Sequence, residues 1–321
     1  DMPKVALKNG NGKNGKHSKN GASLTPEELI PLESEDGFFV YGFSGSFSTE
    51  GLDAFLLKIN KQGDSLWMKS YGDEDQQYGW GMTYDQNGNI VAVGQTASEG
   101  QLPDIWITKI DSEGNMIWEN TLGTPERSDR AFFIEKTADN NFVITGLSAQ
   151  HEKKDDDVYA AKFSSEGKII WEKIIDYGAY ELGHTIRTYN KHLYIFGYTM
   201  PENDSLNHPM LVKLTQSGKV EWKKVYTSIP GHARVIHGDF SDHGIIMTGY
   251  HKPPGKVDFD TMALLTNREG QLLGYRDYGG NGWDMGYSVI FLNGSFAVIG
   301  HESISDKNID LLLVIDNLKT L

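Results

Sequence analysis

Apolar residues in this chain fall into short strand-like runs, four to each repeat of about 50 residues, separated by polar turns rich in Asp, Asn, Ser and Gly. One copy, starting at Gly79, reads GWGMTYDQNGNIVAVGQTASEGQLPDIWITKIDSEGNMIWENTLG. The glycine that ends each apolar-x-apolar-x-Gly run recurs at Gly42, Gly94, Gly146, Gly197, Gly249 and Gly300, at intervals of 52, 52, 51, 52 and 51 residues. A period of this length, with four strand-like runs per copy, predicts a β-propeller. In the copy from Gly79 the predicted strands are 81–84, 89–94, 104–110 and 115–118. The turn Asp85-Gln86-Asn87-Gly88 joins the first two, and its Asn-Gly pair is expected to supply the positive φ angles of a two-residue hairpin. The second run is apolar almost throughout, as a strand covered on both faces by neighbouring sheets must be.

The fold expected is therefore all-β: a six-bladed β-propeller of four-stranded antiparallel blades, one domain over residues 1–321. The sixth copy supplies runs near 286–291, 295–300 and 309–316, then stops at Leu321 without a fourth. Residues 2–8 form a strand-like run with no partner runs before it. They are expected to complete blade six as its outer strand, which closes the ring and removes open sheet edges.

Some polar and aromatic residues keep the period. The third run opens on Asp53, Asp104, Asp157, Asp260 and Asp310, with His208 in the remaining copy. Five residues on stand Lys58, Lys109, Lys162 and Lys213, and the fourth run carries Trp67, Trp118, Trp171 and Trp222. In the fifth copy Gly274 takes the tryptophan position, and Tyr275 beside it is expected to substitute. Side chains repeated this often belong to packing between blades and to turn capping, because each repeat needs its neighbour's face.

Composition narrows the function classes. The net charge of −14 argues against a general binder of nucleic-acid phosphate backbones, which needs clustered Lys and Arg, and leaves room for a local cationic pocket. There is no cysteine, hence no disulfide, zinc-thiolate site or thiol nucleophile, a usage that fits a bacterial extracytoplasmic protein. No apolar run reaches the roughly 18 residues of a membrane span. The opening Asp1-Met2-Pro3 has none of the features of a signal peptide, so one was either removed earlier or never present. Gly10-x-Gly12-x-x-Gly15 is followed by no helix and carries no nucleotide-binding reading. The acidic stretch from His151 to Asp157 lacks the spacing of a calcium loop, and no serine nucleophile elbow or His-Glu-x-x-His motif occurs. No metal or cofactor is implied.

One line of residues carries a family resemblance: Tyr71-Gly72, Asn87-Gly88-Asn89, Val93-Gly94-Gln95-Thr96, Asp104, Lys109-Ile110-Asp111, Gly114 and Trp118. It resembles the bacterial secreted β-propeller repeat (SBBP-like) family, in all copies from about Asp36 to Asp316. The resemblance implies a periplasmic, cell-surface or secreted binding or display module, with cell-surface proteins among its possible partners.

Tight turns between runs one and two, and between three and four, are expected on one side of the ring. The longer, unlike loops 44–52, 96–103, 148–156, 199–207, 251–259 and 302–309 then gather on the other, the natural place for a site. Positions there that break the repeat are the informative ones. His184, His232, Arg234 and Tyr250 form the candidate catalytic group; Trp80, Arg127, Arg130, Tyr180, Tyr198, His237, His251, Trp283, Tyr287 and His301 are candidate ligand-binding residues. Three readings stay open. Aromatic faces with Arg and His suit binding of a poly- or oligosaccharide, above all an anionic or uronate-containing glycan. The same residues suit a polysaccharide lyase, in which Arg or His neutralises a uronate carboxylate while Tyr or His moves the proton in β-elimination. A glycoside hydrolase is less favoured, since no carboxylate pair stands out among 44 acids. The third reading is a protein-interaction or display module without a small ligand.

Overall fold

The computed structural model describes residues 30–34, 36–46, 51–72, 76–98, 100–123, 126–150, 155–178, 180–305 and 308–321. Within them the regular elements are strands, apart from one 3-10 turn at Leu318–Thr320. The strands group in chain order into antiparallel sheets, one per repeat. Sheet one holds Ile30–Ser34, Gly37–Ser44, Asp53–Asn60 and Ser65–Tyr71; sheet two holds Gln76–Tyr84, Ile90–Ala97, Asp104–Ile110 and Met116–Leu122. Sheet three holds Ser128–Lys136, Phe142–Gln150, Asp155–Phe163 and Ile169–Ile175; sheet four holds Tyr180–Tyr189, His192–Met200, His208–Thr215 and Val220–Val225. Sheet five holds His232–Ser241, Gly244–Lys252, Asp260–Thr266 and Leu272–Tyr278; sheet six holds Asp284–Leu292, Ser295–Ser305 and Asn308–Asn317. A single parallel pair, Asp156 with Tyr180, links sheets three and four.

Apolar side chains fill the space between successive sheets, which is why the second and third runs are apolar on both faces. Phe39, Tyr41 and Leu56 of sheet one pack on Ile90 and Trp106 of sheet two, and the same layering continues to sheets five and six through Ile246, Leu265, Phe296 and Val298. First strands of successive sheets lie side by side, so they form the inner edge of the array.

That inner edge is built on one repeated irregularity. In sheets two to six the first strand carries a β-bulge opposite the second strand, and the residue left unpaired is Trp80, Phe132, His184, Ile236 or Tyr287. A bulge re-aims the side chain it carries. The glycine facing it is the periodic one. A methyl group on Gly94, Gly146, Gly197, Gly249 or Gly300 would run into the carbonyl oxygen of Tyr78, Arg130, Leu182, Arg234 or Met285, each two residues before the bulge. The sequence signature thus records a close approach of two backbones.

The periodic tryptophans and lysines join neighbours. Trp67, Trp118, Trp171 and Trp222 each lie over the turn glycine of the following sheet, at Gly114, Gly167, Gly218 and Gly270. Lys109 pairs with Asp85 at 2.8 Å and reaches the Ser165 carbonyl of sheet three at 3.2 Å. Tyr275 does not stand in for the missing tryptophan: it packs toward sheet four, and the backbone of Leu321 occupies the space over Gly274. The turn after the first strand of sheet two also differs from expectation. Only Gly88 has positive φ, at 81°, because Asp85 caps the turn through the Asn87 and Asn89 amides at 2.7 and 2.9 Å.

Sheet six has three strands among the described residues. Its face away from sheet five is apolar and open, with Ile309, Leu311, Leu313 and Ile315 60, 61, 60 and 64% exposed. The strand expected at residues 2–8 lies outside the described residues.

The glycine contact makes a graded prediction. Gly249→Ala puts a methyl into the Arg234 carbonyl and is expected to cost about 3 kcal/mol or more in urea unfolding. Gly255→Ala, at φ 84° with open space around it, should cost only about 1 kcal/mol. Equal costs would remove the close approach as the reason for the periodic glycine.

Candidate functional site

The bulges bring side chains of separate sheets into contact along the inner edge. Ring centroids run Trp80 to Phe132 at 5.6 Å, Phe132 to His184 at 5.8 Å, and His184 to Tyr198 at 5.9 Å. On the far side Tyr250 meets Phe259 at 5.1 Å, and Phe259 meets Trp283 at 5.0 Å. Arg234 joins the two series. Its guanidinium stands 4.5 Å from the Tyr198 ring centroid and 5.6 Å from that of Tyr250, geometry for cation–π attraction.

The hydrogen bonds of Arg234 go to neutral groups. Nη1 donates to the Tyr250 hydroxyl at 2.9 Å. Asn207, with its amide oxygen turned toward the guanidinium, accepts from Nη2 at 2.9 Å and Nε at 3.0 Å. No carboxylate lies within ion-pair distance of Arg234 among the described residues, although the chain has six arginines and a net charge of −14. Arg127, Arg187, Arg268 and Arg276 are all paired with acids, to Asp157, Glu135, Asp242 and Asp316.

The junction between sheets four and five departs from the pattern of the others. At other junctions the acid opening the third strand faces a polar residue at the start of the next first strand. Asp104 converges with Asp129 beside Gly123, and Asp260 with Asp284 beside Gly279. Burial and the charge of Asp129 push the Asp104 carboxyl up. Between sheets four and five these two places hold His208 and Ala233 instead. The adjacent Arg234 is left as a cation without a built-in partner.

Its surroundings favour neutral partners. Burial, reinforced by Arg234, pushes His184 down to about 4. Burial and then Arg234 and Lys252 also lower His232, whose Nδ1 accepts from the Asn207 amide at 3.4 Å. Lys252 faces His232 across the hairpin, its Nζ 5.8 Å from the Phe259 ring centroid. Tyr180 stacks on Tyr198 at 5.9 Å. The arrangement offers a fixed guanidinium, a second cation nearby and aromatic faces, with hydroxyl and amide groups to orient a ligand.

All four candidate catalytic residues, His184, His232, Arg234 and Tyr250, therefore gather around Arg234. Of the candidate binding residues, Tyr180 and Tyr198 join them directly, while Trp80 and Trp283 close the two ends of the ring series. Trp283 is 49% exposed. Other candidates serve elsewhere. Arg127 is held by Asp157 and by the hydroxyl and carbonyl of Ser148, both at 2.7 Å. His251 bridges Asp277 at 2.9 Å and the Pro230 carbonyl at 2.7 Å; burial opposes its charge, but these bonds raise it. His237 accepts from the Val289 amide at 3.2 Å and faces Arg187 at 3.1 Å, and burial with that guanidinium pushes it down to about 4. Tyr287 and His301 bond to one another at 2.6 Å on sheet six. Arg130 occupies in sheet three the place of Arg234 in sheet five. Asn207, Phe132, Lys252 and Phe259 were not anticipated. Asn207 could have been found, since it precedes His208, where the periodic aspartate fails.

No protein-family model matches the chain, and no curated protein sequence does. Solved structures do resemble it. YjhT aligns with a TM-score of 0.52 and 12% identity, over 93% of this chain and 99% of that one. The phage phi92 endosialidase aligns with a TM-score of 0.56 and 10% identity, over 91% and 67%. Trypanosoma rangeli sialidase in complex with sialic acid aligns with a TM-score of 0.52 and 8% identity, over 91% and 54%, so this chain spans about half its length. At these identities the likeness is one of fold, an all-β architecture of the propeller type.

The low values at His184 and His237 set a pH dependence. Both imidazoles stay neutral in the folded protein where the unfolded chain, with histidine near 6.5, takes up protons. This stability is complete above the unfolded value and is lost as pH falls toward about 4. Urea titrations between about pH 7 and 4.5 are expected to show the decline, and His184→Gln to flatten part of it. An unchanged slope in the variant would mean that His184 takes a proton as readily folded as unfolded.

Proposed function

We propose that this protein binds an anionic carbohydrate at the Arg234 site. The observation that carries the reading is an arginine fixed by three neutral contacts, to Tyr198, Asn207 and Tyr250, with no acid of its own among the described residues. A carboxylate arriving there gains charge-assisted hydrogen bonds from a donor already oriented, so little ordering is left to the binding step. The neighbouring rings of Tyr198, Tyr250 and Trp283 suit the apolar face of a sugar. Among the proteins of similar fold are an endosialidase and a sialidase in complex with sialic acid, and a sugar acid is the ligand class that Arg234 would take. Absence of cysteine fits the oxidising setting outside a bacterial cytoplasm, where such glycans are met.

A second reading uses the same geometry. Arg234 would neutralise a uronate carboxylate, and the Tyr250 hydroxyl bonded to it is positioned as the proton-handling group of a β-elimination. Ultraviolet absorbance of the new C=C bond, followed while the protein is incubated with polyuronates, separates this from binding alone.

Calorimetry with acidic oligosaccharides and neutral controls tests the proposal. Arg234→Gln is expected to weaken binding of acidic glycans roughly 10- to 100-fold, the loss of one charged hydrogen-bonding partner. It should leave neutral controls as weak as before. No binding of any acidic glycan to the unmodified protein would end the proposal.

A further inference from the structure

Two arginines, not one, lack an acid among the described residues. Among the described residues Arg130 has no ion pair, and its Nε is buried without a hydrogen-bond partner. Arg130 and Arg234 are 104 residues apart, two repeats, and they occupy the same register. Each lies two residues before the bulge of its first strand, with its carbonyl against the periodic glycine, Gly146 or Gly249. Side chains at equivalent positions of a strand leave it on the same face. Both therefore belong to one edge, on either side of sheet four.

Sheet four separates them with apolar and aromatic groups. Its residue in the same register is Leu182, which packs with Leu147, Phe132, Tyr180 and Tyr198. Phe132, two residues after Arg130, touches His184, and His184 touches Tyr198, over which Arg234 lies. His184 is held neutral, so the rings of Phe132, His184 and Tyr198 between the two cations bear no charge, and the Asp156 carboxylate stands beside Tyr180 at their edge. A ligand with one anionic group that satisfies Arg234 leaves Arg130 unmatched.

We infer that the site takes an oligosaccharide with anionic groups on at least two of its sugars, one at Arg234 and another at Arg130, with the intervening sugar face over the aromatic floor of sheet four. This rests on the anionic-carbohydrate reading and narrows it to polyanionic chains. Each arginine then gains the acid that the fold withholds from it. A second charged contact also steepens the salt dependence of binding.

The test compares mono-, di- and tetragalacturonate by calorimetry with the whole protein, at two salt concentrations. Tetragalacturonate is expected to bind at least tenfold more tightly than the monomer, with a steeper loss on adding salt. Arg234→Gln should weaken both ligands, whereas Arg130→Gln should lower the ratio of tetramer to monomer affinity about tenfold. Arg130→Lys, which keeps the charge, should restore most of that ratio; a merely structural role for Arg130 would not follow charge in this way. If Arg130→Gln does not fold, the salt dependence of the unmodified protein decides alone. Equal affinities and equal salt slopes for monomer and tetramer would overturn the two-anion inference while leaving the anionic-carbohydrate reading in place. Absence of binding by every acidic sugar, monomer and oligomer alike, would overturn both.

Discussion

Within sheets two to six, the carbonyl of an inner-strand residue rests against the Cα of a second-strand glycine, and the rest of the inner edge depends on that contact. Any side chain at the glycine would push the strands apart. With glycine there, the inner strand can carry an extra residue, and the bulge turns that residue out of the ladder. The frame is thus repeated in sequence while the side chain it presents is not. Trp80, Phe132, His184, Ile236 and Tyr287 share one backbone position while ranging from aliphatic to aromatic and titratable. Variety at the inner edge costs the fold little, because none of these residues helps to pair the strands that carry it.

Electrostatics works by exception in the same way. The chain is acidic, and the periodic lysines Lys58, Lys109, Lys162 and Lys213 and four of the six arginines are matched by acids. Beside His208 and Ala233, which replace the acids of other junctions, the half-buried Arg234 guanidinium has no ion pair among the described residues. An unpaired buried charge is costly, and the aromatic rings and neutral acceptors around Arg234 lower that cost without cancelling the charge. A departure from the repeat has here become a recognition group.

The sequence made the architecture legible because the glycine contact, the tryptophan-on-glycine packing and the acid-capped turns are all local and repeated. The nearness of His184, His232, Arg234 and Tyr250 was legible too, three from first-strand entries and Tyr250 from its place after a periodic glycine. What stayed hidden was the partner of each side chain. Arg127 and Arg234 look alike in sequence, yet one meets Asp157 across a strand pair and the other meets Asn207 from a neighbouring loop. His251 stands next to Tyr250, but alternation along a strand sends it to the opposite face and to Asp277. Tyr275 failed as a substitute tryptophan for the same reason: one residue along a strand changes the sheet it touches.

Among the described residues sheet six is packed on one face, and its other face is a row of exposed isoleucines and leucines. Sheets in the middle must part from two neighbours to open, while sheet six must part from sheet five alone, so its amides are expected to exchange before those of the middle sheets. Trp283, Tyr287 and His301 ride on or beside this sheet. The binding edge is thereby asymmetric: Arg234 and its neighbours on sheet four stand between packed sheets, while Trp283 borders the sheet whose outer face is exposed among the described residues.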